Sequence, residues 1–335
     1  MEIKETYMRR ALELARKGQL YAHPNPMVGA VIVDSQGNII GEGYHRRCGE
    51  AHAEVNAINS VADPALLTDS TMYVTLEPCA HYGRTGPCSR LIVERGIPRV
   101  VVGVRDPFDK VDGKGIDIMR EAGVEVAVGV LERECRNLNM AFFTAHTMHR
   151  PFVCLKWAQS ADGWMASAGG EPVRFSTPLT QTLMHQWRAR FDAIMVGSGT
   201  VLADNPGLDV RLWGGPSPRP IVLDRRHRIP DDHQLAQRGA IMMRDDKPLA
   251  EMMKQLYDQG ITSVMVEGGA EVLASMVEAG LWDMARVEIV PSVLGPTGGA
   301  RAPHLPELNL AKTQRIDGNT LKYYSQSPYF DVKNL

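Results

Sequence analysis

Two short words hold four residues able to do chemistry together: His52-Ala53-Glu54, and Pro78-Cys79 followed by Cys88. An imidazole and two thiolates are good ligands for zinc, which takes nitrogen and sulfur donors in a tetrahedron. Three protein ligands leave the fourth position to water. Zinc lowers the pKa of that water to about 7, which supplies hydroxide at neutral pH. Glu54 is then the group that moves protons, from the water to a ring nitrogen and a leaving amine. Residues two apart on a helix face different ways, so Glu54 can lean over the water while His52 binds metal, provided both lie in a first turn. Cys88 follows Pro87 at an expected helix start, with Pro at the first helical position. There the positive end of the dipole lowers a thiol's pKa.

A metal that only holds the fold would want a fourth ligand, and Cys48 or His81 is near enough in sequence to supply it. Two buried thiols are the other plain reading. Neither gives Glu54 a task. His-x-Glu with Pro-Cys is the pattern of zinc deaminases acting on nitrogen heterocycles. In that pattern two residues separate the cysteines, whereas here the eight residues AHYGRTGP stand between Cys79 and Cys88. This spacing argues against the ordinary cytidine and tRNA-adenosine deaminases.

The remaining totals bound the setting. A chain of 335 residues with 44% hydrophobic and 23% charged residues suits two globular domains. The formal net charge of −2 offers no basic footprint for nucleic acid. Five cysteines, an odd and sparse set, make a disulfide framework unexpected. No signal-peptide core and no long apolar run occurs, so a soluble cytoplasmic protein without membrane contact is expected. A homo-oligomer is the expected assembly.

These residues need a scaffold, and its elements are legible. Met8, Ala11, Leu12 and Ala15 have helical spacing, with Gly18 beyond them. Val28–Val33 reads as a covered strand, and Asp34–Asn38 as a turn into Ile39–Tyr44. A helix begins near His52. Strands are expected at Thr71–Leu76, Arg99–Val104 and Val124–Val130, with helices opening at Pro87 and spanning Gly115–Ala122 and Leu131–Ala145. This rhythm predicts an α/β sandwich with a largely parallel sheet. The pattern restarts after Met148–Pro151, giving domains at 1–147 and 148–335. Strands are then expected at Phe152–Gln159, Ala193–Gly197, Ile221–Asp224, Ala240–Met243 and Ser263–Val266. Helices suit Pro178–Arg190, Pro248–Gln259 and Glu271–Ala279. Arg286–Leu294 and Leu321–Val332 are expected to close the sheet as antiparallel strands.

The words HPNPMVGAVIV, GEGYH, GEAHAEVNAI and TLEPCAHYGRTGPCS resemble the deaminase half of the bifunctional riboflavin-biosynthesis deaminase/reductase family. LKWAQSADG, VGSGTVLADNPGLDVR, IVLD and VEGGAEVLASM are similar to its reductase half, in the same order. The resemblance implies a cytidine-deaminase-like three-layer sandwich followed by a dihydrofolate-reductase-like α/β domain. It implies a phosphorylated pyrimidine ribosylamine as substrate. The ring is deaminated first, and NADPH then reduces the ribosyl group to ribityl. His52, Cys79 and Cys88 are the implied ligands of one zinc ion and Glu54 the proton donor. Asn25, His45, Arg84 and Asp106 match deaminase-substrate positions. The family's Asn two residues after the matched Asp106 is Phe108 here, replacing a polar contact.

No GxGxxG occurs in the second half, so the Rossmann fingerprint does not apply. Gly197-Ser198-Gly199-Thr200 after a strand, and Gly268-Gly269 before a helix, instead offer backbone amides for phosphate. By resemblance Ala158, Thr200 and Asp204 are cofactor positions, with the loop Gly269, Ala270, Glu271, Val272, Leu273, Ala274 and Ser275. Arg188, Leu208, Arg211 and Glu267 match reductase-substrate positions. The family's Ser-x-Trp-Ile-Thr is Pro172-Val173-Arg174-Phe175-Ser176 here. Arg174 therefore stands where the family has a cofactor-contacting Trp, and Arg225 follows a strand near another cofactor position. Either Arg suits the 2′-phosphate that distinguishes NADPH from NADH. The altered stretch also leaves open a second reading, a deaminase whose second half serves binding or dimerisation.

Overall fold

The computed structural model describes residues 3–82, 86–109, 111–169 and 173–327. The chain divides into two compact units, one ending at Met148 and the other beginning at His149. The first unit runs α1 (Glu5–Arg16), β1 (Gly29–Val33), β2 (Ile39–Tyr44), α2 (Ala53–Asn59), β3 (Thr71–Leu76), α3 (Cys88–Glu94), β4 (Arg99–Val104), α4 (Lys114–Glu121), β5 (Glu125–Val128), α5 (Glu132–Leu138) and α6 (Met140–Met148).

Its five strands lie in the order β2-β1-β3-β4-β5. β1 pairs antiparallel with β2 and β3, while β3-β4 and β4-β5 are parallel. The sheet is therefore mixed rather than largely parallel, because a hairpin turn after β1 reverses the chain before the first crossover helix. Strand alternation sends side chains to two cores. Ile32, Met72, Val74, Val100 and Val102 pack against Ala57 of α2, Ile92 of α3 and Met119 of α4. Val31, Val33, Tyr73 and Val101 face the other way, against Met8 and Leu12 of α1 and Leu138 and Phe143 of α5 and α6. Each fully buried aliphatic side chain contributes about 1.5–3 kcal/mol, so this two-sided burial is what makes the sandwich three-layered. A Cβ on Gly43 would lie 2.3 Å from the backbone nitrogen of Ala57, so only glycine on β2 lets α2 approach this closely.

The single helix expected over Leu131–Ala145 is two helices, broken at Asn139. The reason lies far away in sequence. The Asn139 amide clasps the backbone of Met27, accepting from its N–H and donating to its C=O, both at 2.8 Å.

The second unit runs β6 (Phe152–Gln159), β7 (Trp164–Ser167), α7 (Pro178–Arg188), β8 (Ala193–Gly197), α8 (Ser198–Asp204), β9 (Arg219–Leu223), α9 (Gln234–Gln237), β10 (Ile241–Met243), α10 (Leu249–Asp258), β11 (Ser263–Glu267), α11 (Ala270–Glu278), β12 (Met284–Ile289), β13 (Gly298–Arg301), β14 (Leu310–Ile316) and β15 (Asn319–Ser325). Eight strands form one sheet in the order β10-β9-β8-β11-β6-β12-β15-β14, and β13 pairs with β7 apart from it. α7 starts on a capping box in which the Thr177 side chain accepts from Thr180 N and Pro178 takes the first turn.

Two expectations change here. β12 runs parallel to β6, not antiparallel, because α11 carries the chain back across the sheet before it. Antiparallel closure comes from β15, which pairs with both β12 and the unanticipated β14. Leu155, Val266, Ala285 and Val287 point into a core with Met252, Leu256 and Leu273 of α10 and α11. Their neighbours Lys156, Glu267, Arg286 and Glu288 consequently face the opposite side of the sheet.

Candidate functional site

In the first unit, the ends of three elements converge. His52 caps α2 in an extended conformation, and Glu54 lies within the helix's first turn. Cys79 follows β3 by three residues, and Cys88 opens α3 with Pro87 at the cap rather than inside the helix. His52 Nδ1 lies 3.6 Å from Cys79 Sγ and 3.4 Å from Cys88 Sγ. The three donor atoms all lie within 4.8 Å of one another. Donors about 2.0–2.3 Å from one tetrahedral centre sit roughly 3.5 Å apart, so this set fits a zinc ion. Neither Cys48 nor His81 joins the cluster, and Cys48 is exposed. The closed four-ligand site weighed from sequence is therefore not formed among the described residues.

The electrostatics follow from burial and mutual contact. Burial pushes the Glu54 carboxyl up to about 7, against the opposing pull of His52. The hydrogen bond from Cys88 holds the Cys79 thiol well below the ordinary thiol range; burial opposes this and His52 adds to it. The Cys88 backbone N–H also donates to Cys79 Sγ at 3.3 Å. His45, at the end of β2, is buried. Its Nδ1 faces the Ala51 carbonyl at 3.1 Å, so Nδ1 carries the proton and Nε2 accepts from Asn25 Nδ2, also at 3.1 Å. Burial lowers the His45 pKa and favours this neutral form. The His45 ring meets His52 edge-on at 5.3 Å. Asn25 and His45 are thus joined to the metal-type cluster.

Asp106 is buried behind β4, and burial pushes its carboxyl up to about 7. Its Oδ1 accepts from Phe108 N at 2.8 Å. The Phe108 ring packs against His81 and His146, at 6.1 and 4.9 Å between centroids. Arg84 lies outside the described residues. Sequence reasoning missed Glu77, which lies in the same TLEPC word. This buried carboxylate accepts from the backbone N–H groups of Asp106, Gly113, Gly115 and Ile116 at 3.0–3.3 Å. A charged residue directly before Pro-Cys, at the end of an apolar strand, was the available signal.

The second unit holds a cavity of about 490 Å³, lined by Lys156, Ala158, Arg174, Met184, Arg188 and Arg211 among others. Arg188 grips Glu267 with two prongs, Nε and NH2 each 2.8 Å from one carboxylate oxygen. Lys156 Nζ lies 3.7 Å from the same carboxylate. Arg211 pairs with Asp209 at 2.8 Å. Leu208 is buried in a separate core with Ile194, Val201 and Val222, so its side chain is packing.

The glycine-rich segments meet beside one another. A Cβ on Gly268 would lie 3.0 Å from the Thr200 side chain, and one on Gly269 would lie 3.3 Å from Thr200 Oγ1. Both glycines have positive φ at the entrance to α11. Thr200 and the Gly269–Ser275 segment therefore come together, with Leu273 turned into the core and Glu271 and Ser275 exposed. Asp204 is exposed at the end of α8. Of the two arginines singled out, Arg174 lines the cavity. Arg225 instead donates to the Lys247 carbonyl at 3.0 Å and faces Asp246 at 3.8 Å. Pro172 lies outside the described residues. Arg228 reaches the glycine-rich segment, donating to Ser198 Oγ at 2.9 Å, and the sequence reading passed over it.

Residues 1–104 match the cytidine and deoxycytidylate deaminase zinc-binding region, and residues 151–322 match the RibD C-terminal domain. Riboflavin biosynthesis protein RibD of Aquifex aeolicus is 38% identical over 318 residues, covering 88% of each chain. The Escherichia coli protein of that name is 36% identical over 328 residues, covering 87% of this chain and 88% of its own. The crystal structure of a diaminohydroxyphosphoribosylaminopyrimidine deaminase/5-amino-6-(5-phosphoribosylamino)uracil reductase from Thermotoga maritima superposes with a TM-score of 0.85 at 34% identity, over 96% of this chain and 98% of that one. The metal-type cluster in a deaminase fold, the second α/β unit and these end-to-end matches agree, and the chain belongs to the RibD family of riboflavin-biosynthesis proteins.

Proposed function

We propose that this chain performs two successive steps of riboflavin biosynthesis. The first is hydrolytic deamination of 2,5-diamino-6-(5-phosphoribosylamino)pyrimidin-4-one. The second is NADPH-dependent reduction of the ribosyl group of 5-amino-6-(5-phosphoribosylamino)uracil to ribityl. The observation that carries the reading is the cluster of His52 Nδ1, Cys79 Sγ and Cys88 Sγ, with Glu54 buried one helical turn away at most.

His52, Cys79 and Cys88 would hold zinc, whose Lewis acidity supplies an acidified water at neutral pH. Glu54, buried beside this cluster, would serve as the proton carrier, accepting a proton from the attacking water and passing protons to the ring nitrogen and the departing amine. The Asn25–His45 pair and Asp106 orient the pyrimidine, and Glu77 holds the backbone that carries Asp106. Arg84 remains the proposed phosphate contact.

In the second unit Lys156, Arg188 and Arg211 would receive the phosphorylated substrate. The Thr200 and Gly268–Gly269 segments and the start of α11 would bind the nucleotide's phosphates. NADPH bound there would supply the hydride. A second half reduced to binding or dimerisation is not favoured, since relatives match along both halves and a cavity with substrate-type residues is present.

Glu54→Gln is the direct test. The amide keeps shape and lacks proton affinity, so bound zinc should remain near one per chain while deamination falls by roughly a hundredfold or more. Loss of zinc, or near-normal turnover, would overturn the assignment.

A further inference from the structure

Arg286 lies on β12, with its side chain 1% exposed. Its Nε and NH2 have no hydrogen-bond partner among the described residues. The NH1 group makes only a 3.5 Å contact with the Met184 thioether, and the guanidinium sits 5.8 Å from the centre of the Trp187 ring. An unpaired buried charge is costly, and the position is otherwise built like a core strand. Its neighbours Ala285 and Val287 are packed in the hydrophobic core on the other face.

Registration explains what Arg286 is near. It pairs across the sheet with Lys156 on β6, and Lys156 pairs with Glu267 on β11. Since in-register neighbours share a face, Arg286 and the cavity-lining Lys156 project to the same side. Arg188 reaches the row from α7. Arg188 and Lys156 thus pair with Glu267, while Arg286 lies on the same face without an ion-pair contact of its own among the described residues. The other buried carboxylate on this face, Glu288, is held by the neutral donors Ser176 Oγ and Asn319 Nδ2 at 2.9 and 2.6 Å. Met184 lines the cavity and its sulfur also touches the Arg286 guanidinium. A methionine side chain is unbranched, with three rotatable bonds, and adapts readily to its surroundings.

We propose that Arg286, with Lys156 and Arg188, forms an anion-binding floor beneath this cavity that takes the phosphate end of the reductase substrate once Met184 swings aside. The unused Nε and NH2 form the planar fork that suits a phosphate. The inference rests on the reading of the second half as a site for a phosphorylated substrate, and it adds a residue to that reading.

The test compares the full chain with its Arg286→Met and Arg286→Lys variants. Titration calorimetry with ribose 5-phosphate measures the floor, titration with NADPH serves as control, and thermal unfolding reports the cost of the buried charge. For Arg286→Met, affinity for ribose 5-phosphate should fall roughly ten- to hundredfold, as for loss of a charge-assisted contact. NADPH affinity should hold, and the unfolding temperature should stay level or rise. Arg286→Lys should keep part of the affinity, since it keeps the charge without the fork. Unchanged ribose 5-phosphate affinity in Arg286→Met would overturn the proposal and leave the reductase reading standing. A lower unfolding temperature with equal losses for both ligands would make Arg286 structural and also overturn it. Should Arg286→Met fail to fold, undiminished affinity in Arg286→Lys would count against the fork and a partial loss for it. No binding of ribose 5-phosphate by the unaltered chain would overturn the floor. NADPH oxidation with the deaminated pyrimidine would then decide the reductase reading separately.

Discussion

The Glu77 carboxylate accepts the backbone N–H of Asp106 at 3.2 Å, and so ties the end of β3, three residues before Cys79, to the loop that follows β4. Both of its oxygens are used, since Gly113, Gly115 and Ile116 donate to it as well. Glu77→Gln should therefore disturb Asp106 without touching a metal ligand. The amide's NH2 would face backbone donors, leaving about 1–3 kcal/mol of unmet hydrogen bonding. We expect KM for the pyrimidine to rise by about tenfold, with zinc content and the reductase step unchanged. A fall in kcat alone, or loss of zinc, would contradict this positioning role.

The buried pair in the second unit gives a pH prediction. Burial alone would raise the Glu267 carboxyl, but Lys156 and Arg188 override it and hold it at about 2. A depressed folded pKa stabilises above the ordinary glutamate value of about 4.3, and that contribution is lost as pH falls toward 2. Glu267→Gln should cost about 3–5 kcal/mol near neutral pH, because two buried cations lose their shared partner. Urea unfolding of the reductase half at several pH values should show the gap between variant and parent narrowing below about pH 4.5. A gap that is constant with pH would mean that Glu267 does not titrate as a paired carboxylate.

Much of the site was legible because it is local. His52, Glu54, Cys79 and Cys88 sit in two words whose chemistry needs no knowledge of the fold. The strands with continuous burial, such as β4, were equally plain. What escaped depended on distant partners. Asn139 reads as one more helical position until Met27, 112 residues away, takes its amide. β14 alternates half-buried and exposed residues and contains Lys312, Gln314 and Arg315, so it lacks the apolar run of a central strand. Glu77 and Arg228 gain meaning only from the backbone and hydroxyl groups that tertiary folding brings to them.

Cofactor choice separates the two arginines picked out in the sequence. Arg174 lines the cavity, while Arg225 is satisfied by Lys247 and Asp246. We expect Arg174→Ala to lower the ratio of kcat/KM for NADPH over NADH by roughly one to two powers of ten, as for loss of a charge-assisted contact. Arg225→Ala should leave that ratio within about twofold, as for a solvent-exposed ion pair. The reverse pattern would move the 2′-phosphate to the Arg225 side. An unchanged ratio in both variants would leave the preference to backbone amides and to Ser198 and Thr200.

The central claim is that one chain performs both steps in order. Zinc-loaded protein should be given 2,5-diamino-6-(5-phosphoribosylamino)pyrimidin-4-one, with ammonia release and NADPH oxidation followed in the same mixture. The account predicts ammonia release with or without NADPH, and NADPH oxidation only after ammonia has been released, approaching equal amounts of the two. NADPH oxidation without prior ammonia release, or no ammonia from the zinc-loaded chain, would contradict it.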